Sequence, residues 1–156
     1  MPLVTVLVVV LCLIIVAGLV TWIRRAASCR RIINAPQGGP PLHLFRGGVM
    51  CRHLITSGLL ARLEFYDWGI RLRGITMAQW IVPTWEARYE ELAIAELVTL
   101  PYSRIAVWMR LRGEPEGIAF LSTWHEDILN QFEKREIPVN RAVAKIQRVA
   151  DLYGER

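Results

Sequence analysis

The sequence predicts an α+β protein, mainly β: one membrane-spanning helix, then a meander of antiparallel strands followed by an amphipathic helix. Three observations carry this. The first 23 residues are almost wholly apolar, residues 49 to 121 fall into short runs of Val, Ile, Leu and aromatic residues broken by turn residues, and helical periodicity begins only afterwards. At 156 residues the chain has room for one modest domain and an appendage.

Residues 1–23 are expected to form the transmembrane helix. From Leu3 through Leu11 and Gly18 to Ile23 there is no charged residue, and such a helix spans roughly 30 Å, one bilayer crossing. A cleaved signal peptide wants basic residues before a shorter apolar core, whereas only Met1 and Pro2 precede this one. Arg24, Arg25, Arg30 and Arg31 all follow the span. Flanking basic residues are retained on the cytoplasmic side, so the expected topology is single-pass in the plasma (inner) membrane, N-terminus outside and C-terminal domain cytoplasmic.

The net charge of +5 is uneven. Residues 24–55 carry six arginines (the four above, Arg46 and Arg52) and no acid, while the rest of the chain is nearly balanced. Basicity confined to the membrane flank argues against a nucleic-acid partner. It suits anionic lipid headgroups, at roughly 1 kcal/mol per arginine, and equally a role limited to setting topology. Cys12, Cys29 and Cys51 are odd in number and scattered, so no disulfide framework is expected, in keeping with a reducing cytoplasm.

Residues 24–48 read as a basic juxtamembrane segment and linker, because "NAPQGGPPLHLFRGG" holds three prolines and four glycines. Strands are expected at about 49–55, 59–66, 70–74, 79–83, 85–90, 93–99, 104–111 and 117–121. Turns are expected at Thr56-Ser57-Gly58, Asp67-Trp68-Gly69, Pro101-Tyr102-Ser103 and Gly113 to Gly117. In the hairpin "LEFYDWGIRLRG", an even loop sets Phe65 opposite Leu72 and Glu64 opposite Arg73, with Gly69 supplying a positive φ. The helix opens with Thr123 as N-cap and Glu126 as its capping-box partner. Trp124, Ile128, Leu129 and Phe132 form its apolar stripe, and Ile137-Pro138 stops it. A further short helix is expected within 139–156, from Asn140 to about Leu152, with Val143, Ile146, Ala150 and Tyr153 on one side.

About seven antiparallel strands followed by one amphipathic helix, over residues 49–138, resembles a pleckstrin-homology-like (PH-like) domain. The "EFYDWGIRLR" hairpin, "RYEELAIAELV" and "GIAFLSTWHEDILNQFEKREIPV" are similar to segments of bacterial membrane-tethered PH-like proteins. The resemblance implies an open barrel of about seven antiparallel strands capped at one end by the amphipathic helix, and a binding or scaffolding module, often oligomeric and membrane-apposed. Members that bind phosphoinositides place Lys and Arg in the first inter-strand loop; Thr56-Ser57-Gly58 has none.

No motif points to catalysis. Cys51 and His53 share a strand face but lack a second ligand pair for a metal. His125-Glu126-Asp127 is explained by capping and dipole effects in a first helical turn. Glu86, Glu90 and Glu91 sit beside Arg88 and read as a solvated surface. The expectation is therefore a non-catalytic module with no cofactor, engaging a protein partner or its own copies at the membrane.

Overall fold

The fold follows from two periodicities, an unbroken apolar helix and a run of alternating strands that closes on a second, shorter helix. The computed structural model describes residues 2–36, 39–51, 54–100, 104–114 and 117–145. Helix α1 (Pro2–Ser28) leads into β1 (His43–Cys51), β2 (Leu54–Phe65), β3 (Gly69–Gly74), β4 (Trp85–Arg88), β5 (Leu92–Leu100), β6 (Arg104–Leu111) and β7 (Gly117–Leu121). Helix α2 (His125–Glu133) and β8 (Val139–Lys145) complete the described chain.

All eight strands form one open sheet in the order β4-β3-β2-β1-β7-β6-β5-β8. Consecutive strands pair antiparallel within β1 to β4 and within β5 to β7, and β1 joins the two sets by pairing with β7 through Gly48–Met50. A bulge between Gly47 and Val49 interrupts the β1–β2 ladder at this point, where it bends the strand and re-aims its pairing. Only glycine fits, because a Cβ on Gly47 would run into the Leu121 carbonyl and one on Gly48 into the Thr56 carbonyl. The end of the expected linker is thus strand: these glycines permit close backbone approach rather than looseness.

The bend brings one face of both halves together. Leu63, Phe65, Ile70 and Leu72 meet Leu97, Val107, Met109, Ile118 and Phe120 in one core with Ile128, Leu129 and Phe132 of α2, all nearly or fully buried. The Phe132 ring meets Phe65 edge-on at 5.1 Å. Trp124, expected in the same stripe, is 58% exposed. The helix begins one residue later, at His125, and Trp124 sits at the non-helical cap position with its backbone N–H donating to Ser122 Oγ. The expected Thr123–Glu126 capping box is accordingly replaced.

Four other expectations change. The hairpin keeps its faces but not its pairs: Phe65 lies opposite Ile70 and Glu64 opposite Arg71, two residues from the expected register, which preserves sidedness. Gly69 is not at positive φ; a Cβ there would strike the Ala87 carbonyl of β4. Thr56-Ser57-Gly58 lies within β2, where the Thr56 hydroxyl accepts from Val49 N–H at 3.0 Å across the bulge. Residues 79–83 are no strand: Ile81 and Val82 N–H both return to the Ala78 carbonyl, a local turn that buries Ala78 and Val82.

The largest correction is at the C-terminal end. Glu136 closes α2 in the left-handed region at φ 59°, with Ile137 N–H bonded to the Phe132 carbonyl and Ile137 buried. The chain then continues as β8, parallel to β5, rather than as a helix from Asn140. An isolated short helix is marginal in water, whereas the edge of β5 offers a ladder at once, beginning with Ala95 N–H to the Pro138 carbonyl. Val143 is 50% exposed, so no apolar stripe forms there. Ile146, Ala150 and Tyr153 lie outside the described residues.

Candidate functional site

Helix α1 is long and apolar enough to cross a membrane, a property that a signal sequence shares. Leu11 and Ile23 are exposed along it, Gly18 has no neighbour within 4 Å, and the Leu3 side chain lies outside the described set. The helix does not end at Ile23 but runs on through Arg24 and Arg25 to Ser28. Its last turn enters the domain: Ala26 is 6% exposed within the main core, and Trp22 and Cys29 pack against it.

Two further ties hold that turn. Cys29 is disulfide-bonded to Cys51 at the end of β1, with a Cα–Cα separation of 6.2 Å across 22 residues of sequence. This corrects the expectation that the cysteines make no disulfide framework, and it leaves Cys51 no free thiol to work with His53, which is outside the described residues. Cys12 remains free and exposed on α1. Arg31 then forms a parallel bridge with Trp85 of β4, donating to the Thr84 carbonyl and accepting from Glu86 N–H. Its guanidinium reaches the Glu86 carbonyl at 2.6 Å and the Glu91 carboxylate at 2.8 Å. The segment expected as a basic juxtamembrane stretch leading into a linker is therefore, at this end, part of the fold.

The outer face of β2 to β4 carries a charge network instead of a solvated surface. Glu86, 5% exposed, accepts from Arg71 Nε at 2.7 Å and from Ile33 N–H at 3.1 Å. Glu64, fully buried, accepts from Arg73 Nε at 3.0 Å and from the Tyr66 hydroxyl at 2.8 Å. Arg62 Nε also lies 2.8 Å from Glu64 but off the hydrogen-bonding direction, so that contact is Coulombic. Arg71 lies over the stacked Tyr66 and Trp68 rings. The bond from Arg31, reinforced by Arg88 N–H, holds the Glu91 carboxyl below the usual carboxylate range against partial burial. Burial, together with the Glu64 carboxylate, pushes the Tyr66 hydroxyl up. Burial pushes Tyr89 up to about 12 against the nearby Arg135, and its hydroxyl donates to the Tyr66 carbonyl at 2.6 Å. Glu90 is left exposed beside Arg88. Each of these two buried carboxylates is thus occupied by arginine, an arrangement that ties neighbouring strands together.

Of the six arginines singled out by sequence, the five among the described residues are not gathered in one place. Arg24, Arg25 and Arg30 are exposed around the end of α1, Arg31 is consumed by the β4 contact, and Arg52 lies outside the described residues. Arg46 is elsewhere, on the rim of a groove of about 450 Å³ between the β1 bulge, the start of β6 and the entrance to α2. Arg104, Ser122 and His125 share that rim over Leu59, Ile105 and Leu121. No acidic side chain among the described residues pairs with Arg46 or Arg104. Sequence reading missed Arg104 and set His125 aside as part of a first helical turn, since nothing local links the start of β6 to the entrance of α2. Among the described residues no group of three or more His, Cys, Asp or Glu could hold a metal. Compared with known proteins, the chain matches no family model and no curated protein.

Proposed function

We propose that this is a membrane-anchored, non-catalytic PH-like module that binds a protein partner or its own copies at the cytoplasmic face of the plasma membrane. The observation that carries the reading is β8. It is the terminal strand of the sheet, and residues 141 to 145 are all exposed. An exposed edge strand is a template for adding a further strand from another chain. The opposite edge, β4, is already covered by Arg31. The two antiparallel meanders, β1 to β4 and β5 to β7, followed by α2 support the PH-like assignment. The internally paired carboxylates of β2 to β4 support a binding rather than a catalytic role.

The test is in-cell crosslinking of tagged full-length protein, comparing the natural chain with Val143→Pro, which removes a β8 donor and stiffens the edge. A crosslinked product that falls at least fivefold in the variant is expected. A monomer with no reproducible adduct, or an adduct indifferent to the substitution, would refute the reading. A second reading, anionic-lipid sensing, is favoured by the exposure of Arg24, Arg25 and Arg30 beside the apolar helix. It requires binding of the fragment from residue 24 to phosphatidylglycerol vesicles that weakens steeply with salt.

A further inference from the structure

We propose that the Cys29–Cys51 bond is a thiol–disulfide exchange site at the junction of anchor and domain, open to a low-molecular-weight thiol of the glutathione class. Disulfides that solvent reagents can reach are the ones more often labile, regulatory or catalytic. This one borders a cavity of about 270 Å³, lined by both cysteines with Arg30, Arg31, Trp85 and Glu114 among its walls. The two sulfurs differ in access: Cys51 is 4% exposed within the core, whereas Cys29 is only half-buried, just past the end of α1. Arg30 and Glu114 give the cavity one charge of each sign that lies outside the β4 network. That pair matches a peptide thiol carrying both carboxylate and ammonium groups.

The asymmetry dictates the order of steps. The incoming thiolate attacks Cys29 Sγ, a mixed disulfide forms at Cys29, and Cys51 leaves as a thiolate that takes the proton the incoming thiol released. A second thiol attacks the mixed disulfide, freeing Cys29 as a thiol and leaving as the disulfide of the small molecule. Two small thiols are oxidised and the cysteine pair gains two electrons and two protons; the small-molecule disulfide drives the reverse. Opening the bond separates the end of α1 from the end of β1 while the Arg31 contacts with β4 persist, so exchange alters how firmly the domain is held to its anchor. A cytosolic disulfide that is formed and broken in this way is of the redox-sensing kind. The exchange itself is measured on purified protein and does not depend on the partner or compartment proposed above.

The experiment uses full-length protein in detergent micelles, treated with reduced glutathione, quenched in acid and labelled in denaturant with a maleimide-polyethylene glycol. Before reduction only Cys12 is expected to label, and afterwards all three cysteines. The folded protein should be reduced within about a hundredfold of the rate of the urea-unfolded chain, because the cavity admits the thiol. Greater protection, or three labelled cysteines before any reduction, would overturn the proposal. The attacked sulfur is identified on a Cys12→Ala background with glutathione disulfide as reagent. Cys29 in Cys51→Ser should form the mixed disulfide at least tenfold faster than Cys51 in Cys29→Ser, following their exposure; equal rates would refute it. Should a serine variant misfold, the folded-against-unfolded comparison on the natural chain still decides.

Discussion

Replacing Glu64 with Gln tests whether the outer face of β2 to β4 is a fixed network or a wet surface. The shape is nearly unchanged. The amide oxygen can keep the Arg73 contact, and the amide nitrogen can face Tyr66, whose hydroxyl turns to accept. What disappears is the charge that Arg73, at 2.9 Å, and Arg62, at 2.8 Å, share on a side chain 1% exposed. Charge-assisted hydrogen bonds contribute about 1.5–3 kcal/mol against about 1 for neutral ones. The guanidiniums are 34% and 26% exposed and recover part of the loss in water. The Arg73 bond should therefore weaken by about 1 kcal/mol, and the purely Coulombic Arg62 contact with a buried carboxylate by about as much after solvent screening, giving about 2 kcal/mol in all. Urea unfolding of the full chain in micelles, followed by tryptophan fluorescence, should show the midpoint falling by about 1–2 M for a slope of 1–2 kcal/mol/M. Glu90→Gln, whose side chain is 76% exposed, should leave the midpoint in place. A Glu64→Gln shift indistinguishable from that control would show the face to be solvent-screened. In a double-mutant cycle with Arg73→Met, coupling below about 0.5 kcal/mol would say the same.

Three further outcomes are expected. Replacing Cys29 and Cys51 together by serine releases a tie spanning 22 residues and should cost about 3 kcal/mol by loop-closure entropy, measured by the same urea titration; a loss under about 1 kcal/mol would show that Ala26 and Arg31 already hold the junction. Glu136→Gly relieves a non-glycine residue held at φ 59° and should raise stability by about 1 kcal/mol, read as a higher midpoint. Tyr89, raised to about 12, resists ionisation in the folded state, so its contribution is complete below pH 10 and disappears as the pH climbs through 12. Tyrosinate absorbance should therefore show a late step, absent in Tyr89→Phe, with the variant losing less stability than the parent between pH 10 and 12.

Much of the architecture was legible because its causes are local. The apolar N-terminal helix is declared by composition over 21 residues, most strands by alternation between turn residues, and the buried side of α2 by the spacing of Ile128, Leu129 and Phe132. Even the misjudged hairpin register kept its faces, since alternation determines sidedness while leaving a slide of two residues open. The candidate site was mostly illegible. That Glu64 and Glu86 are buried, that Arg31 leaves the arginines at the end of α1 for β4, and that Arg46 shares a groove with Arg104 all depend on which distant strands become neighbours.

The amino-acid order alone settled an apolar N-terminal helix, a mainly β body and an amphipathic helix after the last antiparallel strand, because propensity, periodicity and turn chemistry act within a few residues. Tertiary structure decided that Cys29 meets Cys51, that Gly47 and Gly48 bend β1 rather than loosen a linker, and that residues 139–145 add a strand to β5. Each of these depends on a partner many residues away, a cysteine, a carbonyl or an unfilled sheet edge, that exists only once the chain has closed on itself.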